Sequence, residues 1–106
     1  MRELDHVGIP TSQKQDGETY LEGAKVFITD YNVSPNKIEW LRFEDDSEFP
    51  ELIQSTAHIA YRVKDLEAEM EGKEVLVEPF SPGEGLKIAF VVEEGAPIEL
   101  MHFSEN

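Results

Sequence analysis

The 106-residue sequence has no cysteine. That absence excludes disulfide staples, thiolate zinc sites and a cysteine nucleophile. Cations are scarce, with nine Lys plus Arg against 23 Asp plus Glu and a formal net charge of −14. A nucleic-acid backbone or an anionic membrane is disfavoured as a partner, because both are held by cations. No apolar run approaches the ~18 residues of a membrane span. Met1-Arg2-Glu3-Leu4-Asp5 carries acids where a leader peptide would be apolar. The expectation is a cytoplasmic protein with no nucleic-acid or membrane partner. Gly-rich phosphate loops are missing too: Gly83-Glu84-Gly85 has no helical pattern behind it and reads as a hairpin. The acidic stretch Glu44-Asp45-Asp46-Ser47-Glu48 lacks the central glycine of a calcium loop and reads as a solvated link.

What is present is period-two alternation. Length predicts a single domain over 1–106. Short apolar–polar runs bounded by Gly, Pro, Asn and Asp predict strands over 4–9, 19–21, 25–29, 37–43, 58–63, 74–77, 86–93 and 98–103. One stretch reads as helix, Asp65 to Glu71, with Leu66 and Met70 on one face and Gly72 as its stop. Turns are expected at Ser34-Pro35-Asn36, Ser81-Pro82-Gly83 and Gly95-Ala96-Pro97.

The strands repeat. Asp5-His6-Val7-Gly8-Ile9 parallels Ala57-His58-Ile59-Ala60-Tyr61, and Lys37-Ile38-Glu39-Trp40-Leu41 parallels Pro97-Ile98-Glu99-Leu100-Met101. The His-to-Glu separation is 33 residues in the first half and 41 in the second, an excess about equal to the predicted helix. The first half, about 1–48, has therefore dropped its helix for a polar loop over 11–17, and the second runs over about 55–106. If the halves pack with approximate two-fold symmetry, His6, Glu39, His58 and Glu99 converge. Two imidazoles and two carboxylates suit a divalent Zn, Ni, Fe, Mn or Co ion. A carboxylate flanked by Ile and Trp or Leu in mid-strand needs such a partner, since burying it alone costs several kcal/mol. Parity sets His102 away from Glu99, and Trp40, Tyr61 and Phe90 read as core.

Leu4-Asp5-His6-Val7-Gly8-Ile9, His58-Ile59-Ala60-Tyr61-Arg62-Val63 with Lys64-Asp65-Leu66, Lys87-Ile88-Ala89-Phe90 and Ile98-Glu99-Leu100 resemble the vicinal oxygen chelate superfamily. That group includes glyoxalase I, methylmalonyl-CoA epimerase, extradiol dioxygenases and bleomycin-resistance proteins. The resemblance implies an α+β glyoxalase-like fold of paired βαβββ modules around one metal cavity, the first module lacking its helix. It implies His6, Glu39, His58 and Glu99 as metal ligands, and Glu99, with Glu39 as its counterpart, in acid–base catalysis. Dioxygenases fit less well, because they use one carboxylate and leave Glu39 surplus. Arg62, on the expected cavity face, is the candidate substrate anchor; Arg42 has the parity of Trp40 and points away.

Two functions follow as expectations. One is a metal-dependent lyase or isomerase moving a proton beside a carbonyl of a small molecule. The other is a bleomycin-resistance-like protein that sequesters a small molecule without chemistry. The missing first helix leaves an apolar sheet face, so a homodimer that covers it is expected.

Overall fold

A computed structural model describes residues 2–104; Met1, Glu105 and Asn106, the ends of the expected domain, lie outside the described residues. The alternating pattern forms eight strands: β1 (Glu3–Pro10), β2 (Thr19–Leu21), β3 (Val26–Ile28), β4 (Ile38–Phe43), β5 (His58–Arg62), β6 (Glu74–Gly83), β7 (Leu86–Glu93) and β8 (Ala96–Phe103). Two five-residue helices accompany them, α1 (Glu51–Ser55) before β5 and α2 (Leu66–Met70) after it.

All eight strands form one mixed sheet in the order β2-β3-β4-β1-β5-β8-β7-β6. That order is palindromic in module terms. β1 pairs β4 in parallel as β5 pairs β8 in parallel, and the other strands follow antiparallel in each half. The halves meet where β1 runs antiparallel to β5, with Val7 opposite Ile59. Register repeats as well: Gly8 faces Glu39, and Ala60 faces Glu99. In both halves the residue two beyond the histidine stands opposite the glutamate, so all four side chains emerge on one face.

Two apolar clusters sit on opposite faces. On the outer face of the second half, Val63 and Leu66 pack on Ala89, Val91, Ile98 and Leu100. α2 supplies that cover, and its Asp65 cap accepts a hydrogen bond from the Ala68 N–H at 3.1 Å. On the inner face, Ile53 of α1 packs with Ala60, Ile88, Phe90 and Met101. Arg2 ties the start of β1 to α2 and β7 through Glu69 and Glu93, at 2.8 and 2.6 Å, and Lys73 joins Glu93 at 3.0 Å.

The first half has no helix between β1 and β2, as its shorter repeat predicts. Three local expectations are corrected. The segment after the acidic link contains α1, whose five residues are too few to show a helical period and bury only Ile53. Ser81-Pro82-Gly83 is not the turn but the end of β6, with Gly83 opposite Leu86. An edge strand tolerates Pro79 and Pro82 because it need not donate every N–H. Ala96 and Pro97 likewise belong to β8; the turn is Glu94-Gly95, at φ 55° and 77° between paired Glu93 and Ala96. Positive φ at both central residues matches the right-handed twist of a two-residue hairpin.

Candidate metal centre

β1, β4, β5 and β8 bring the four sequence-derived residues together on the inner face. His6, Glu39, His58 and Glu99 are all buried, and all line one cavity of about 700 Å³. His58 Nε2 lies 3.1 Å from Glu99 Oε1. His6 Nε2 lies 3.4 Å from the same oxygen and 3.5 Å from Glu39 Oε1. Ligand atoms of His6, Glu39 and His58 all fall within 4.8 Å of one another.

These distances carry chemical information. His6 Nε2 is buried and has no hydrogen-bond partner, although two carboxylate oxygens stand near it. Donors held about 2.0–2.2 Å from one ion are roughly 3.0–3.5 Å apart, which is the spacing of the three His–Glu contacts. The donors of His6, Glu39 and His58 could therefore hold a divalent cation, with Glu99 Oε1 beside both imidazoles. The choice of tautomer is made one bond further out. Asp5 Oδ2 sits 2.7 Å from His6 Nδ1 and accepts a hydrogen bond from it. A histidine anchored this way presents Nε2 to a metal.

The same carboxylate holds Arg62. Arg62 Nε donates to Asp5 Oδ1 at 2.7 Å, and its guanidinium lies 4.4 Å above the Phe103 ring. The cavity-face expectation for Arg62 is corrected accordingly. Its side chain is 54% exposed at the sheet rim and is not among the residues lining the cavity. A nearly buried carboxylate attracts the nearest cation, which leaves Arg62 neutralising Asp5 rather than free to meet a ligand. Arg42 points away as expected, bonding Glu18 and covering Phe27 on the outer side. His102 faces outward and contacts the Val63 carbonyl at 3.2 Å.

Three neighbours of the site were not singled out from sequence. Asp5 is one, and its only signal is its place directly before His6. Tyr31, from a short helical turn after β3, stacks on His6 with ring centres 3.9 Å apart. Gly8 is the third. A Cβ there would lie 2.2 Å from His58 Cε1, so only glycine lets the His58 ring lie across β1. A glycine inside a strand pattern signals such a close approach. Phe90 is core as expected, and it also meets the His58 ring edge-on at 5.1 Å.

The fold is glyoxalase-like. A hypothetical protein from Bacillus halodurans C-125 superposes with a TM-score of 0.71 at 23% identity, over 99% of this chain and 96% of that one. A methylmalonyl-CoA epimerase from Mycobacterium tuberculosis superposes with a TM-score of 0.62 at 18% identity, over 96% of this chain and 88% of that one. At these identities the likeness establishes shared architecture alone. The sequence matches no protein-family model and no curated protein. No helix among the described residues is long and apolar enough to cross a membrane.

Electrostatics couple the cluster internally. Burial pulls the His6 pKa down, but Glu39, Glu99 and Asp5 outweigh it and push His6 up to about 10. Burial raises Glu99, yet the two histidines hold it below the usual carboxylate range. Asp5 is also lowered: burial opposes this, and His6, Arg62 and the Tyr31 hydroxyl overcome it. Without metal, a proton on His6 neutralises part of the buried negative charge. A metal ion would take over that task and release the proton.

Two outcomes are expected. In metal-free protein the stability supplied by charged His6 is complete below about pH 6.5 and is lost as pH rises through about 10. The urea midpoint should fall across that window, and His6→Gln should flatten the fall. Gly8→Ala forces His58 to shift, so it should cost about 1–3 kcal/mol in urea unfolding and lower metal affinity.

Proposed function

We propose that this chain is a metal-dependent lyase or isomerase that moves a proton on the carbon beside a carbonyl of a small molecule. The observation that carries the reading is the convergence of two buried histidines and two buried glutamates on an unpartnered His6 Nε2, inside a cavity. His6, His58, Glu39 and Glu99 would hold the ion, whose identity among Zn, Ni, Fe, Mn and Co is left to measurement. When bound, it would polarise the carbonyl and stabilise the negative charge that develops on oxygen.

The chain's own residues do the rest. Asp5 and Arg62 fix the His6 tautomer from behind, and Tyr31 packs its ring. Gly8 and Phe90 set the plane of His58. Glu99, whose Oε1 lies beside His58 and His6, takes the carbon-bound proton on its other oxygen and returns it to the neighbouring position of the substrate. Glu39, its counterpart across the pseudo-two-fold, lies 3.5 Å from His6 Nε2 and is placed to exchange a proton from the other module. The epimerase neighbour shares this architecture and supports an isomerase reading.

A second reading, sequestration without chemistry, is favoured by Glu99 being clasped between two imidazoles. The two are separated by one pair of measurements. Protein purified without chelator should hold a near-stoichiometric divalent metal, and His58→Ala should lose it. With metal bound, proton–deuterium exchange in D2O at the carbon beside the carbonyl of α-hydroxyketones and α-hydroxyaldehydes, followed by NMR, should fall at least about 100-fold in Glu99→Gln. Ligand binding with no exchange would favour sequestration. Absence of stoichiometric metal under every loading condition would remove the metal reading.

We also infer a homodimer. Leu4 and Ile59 are exposed at 67% and 37% on the outer side of β1 and β5, next to the face that lacks a helix. Light scattering at micromolar concentration should give twice the chain mass, and a monomer would count against it.

A further inference from the structure

The cavity above the cluster has a chemistry of its own. Its inner wall is Leu41, Phe43, Ile88, Phe90 and Met101, and its mouth is edged by Tyr20, Leu21 and Phe80. Tyr20 packs on Phe27 and donates to Glu44, whereas Leu21 and Phe80, 39% and 37% exposed, present apolar surface at the opening. They come from β2 and β6, the two free ends of the sheet, so both modules contribute apolar lips to one opening. No lysine or arginine lines the cavity among the described residues, and outside the cluster its only charged lining residue is Glu22. Five of the nine cations are held by carboxylates away from the cavity: Arg42 with Glu18, Lys25 with Asp46, Arg62 with Asp5, and Arg2 and Lys73 with Glu93.

We propose that the site takes an uncharged, predominantly apolar molecule and that it rejects anionic conjugates. Desolvating a carboxylate or phosphate against these walls, with no cation to meet it and acids nearby, is strongly unfavourable. An alkyl or aryl body gains from burying the same walls. A cavity of about 700 Å³ lies within the range that holds a molecule of drug size. That such a molecule also meets an ion rests on the metal reading above; the apolar body does not, because the walls belong to the chain itself.

The experiment has two arms. In the first, metal-free protein is titrated with N-phenyl-1-naphthylamine, a neutral apolar fluorophore. Saturable enhancement is expected, with affinity reduced at least about 10-fold in Phe80→Glu, whose exposed position leaves the fold intact. No saturable binding would overturn the apolar-body inference independently of any metal. In the second, cobalt-loaded protein is titrated with acetohydroxamate, octanohydroxamate and an eight-carbon hydroxamate ending in a carboxylate. Octanohydroxamate should bind at least about 30-fold tighter than either. Equal or tighter binding of the carboxylate-ended compound would overturn the proposal. If cobalt is not retained, the metal reading fails and the first arm still decides the apolar one.

Discussion

One strand pairing organises everything else. β1 and β5 run antiparallel with Val7 opposite Ile59, and each carries its own module's parallel partner, β4 or β8. From that single register the two histidines and two glutamates emerge on one face near the symmetry axis. A one-residue slip would turn one histidine to the outer face and replace it with an apolar neighbour. The pairing is thus worth more than its backbone hydrogen bonds. It decides whether four ionisable groups are buried together, where they compensate one another, or apart, where each would cost several kcal/mol.

Symmetry holds in the sheet and fails in the layer behind it. His6 has Asp5 on its Nδ1, with Arg62 behind Asp5 and Tyr31 on its ring. His58 has Ala57 before it, an Nδ1 without a hydrogen-bond partner, and Phe90 at its edge. The first ring is oriented by charge and the second by shape. Glycine at position 8 and alanine at position 60 occupy equivalent places opposite the two histidines, and a Cβ at Gly8 would strike the His58 ring. The outer faces differ as well, since α2 covers the second half and nothing helical covers the first.

Much of this was legible in the chain. Strand alternation is a local property, and short runs such as Lys37 to Phe43 carry it without help from distant contacts. The four ligand candidates were legible because duplication prints the same His and Ile-Glu words twice, and because a carboxylate amid apolar strand residues demands a reason. α1 was not legible: a five-residue helix with one buried side chain has no period to detect. The ends of β6 and β8 were misjudged because prolines read as turn signals, whereas an edge strand accepts Pro79 and Pro82 and a strand's opening residues accept Pro97. Arg62 was misplaced because parity gives the face of a side chain but not what captures it. Its partner, Asp5, is 57 residues away.

The net charge of −14 also divides differently once the fold is known. Glu39, Glu99 and Asp5 are withdrawn from solvent into the cluster, and Arg62 follows Asp5 to its edge. By itself the sequence determined the strand set, the duplication, the ligand-capable residues and the lack of any thiol, since each depends on residue identity and near neighbours. Only the tertiary structure decided that five of the nine cations are held by carboxylates away from the cavity, that Gly8 makes room for an imidazole, and that the cavity wall is apolar. Those facts depend on which distant strands lie side by side, and long-range pairing is set by the register of the whole sheet rather than by any segment of it.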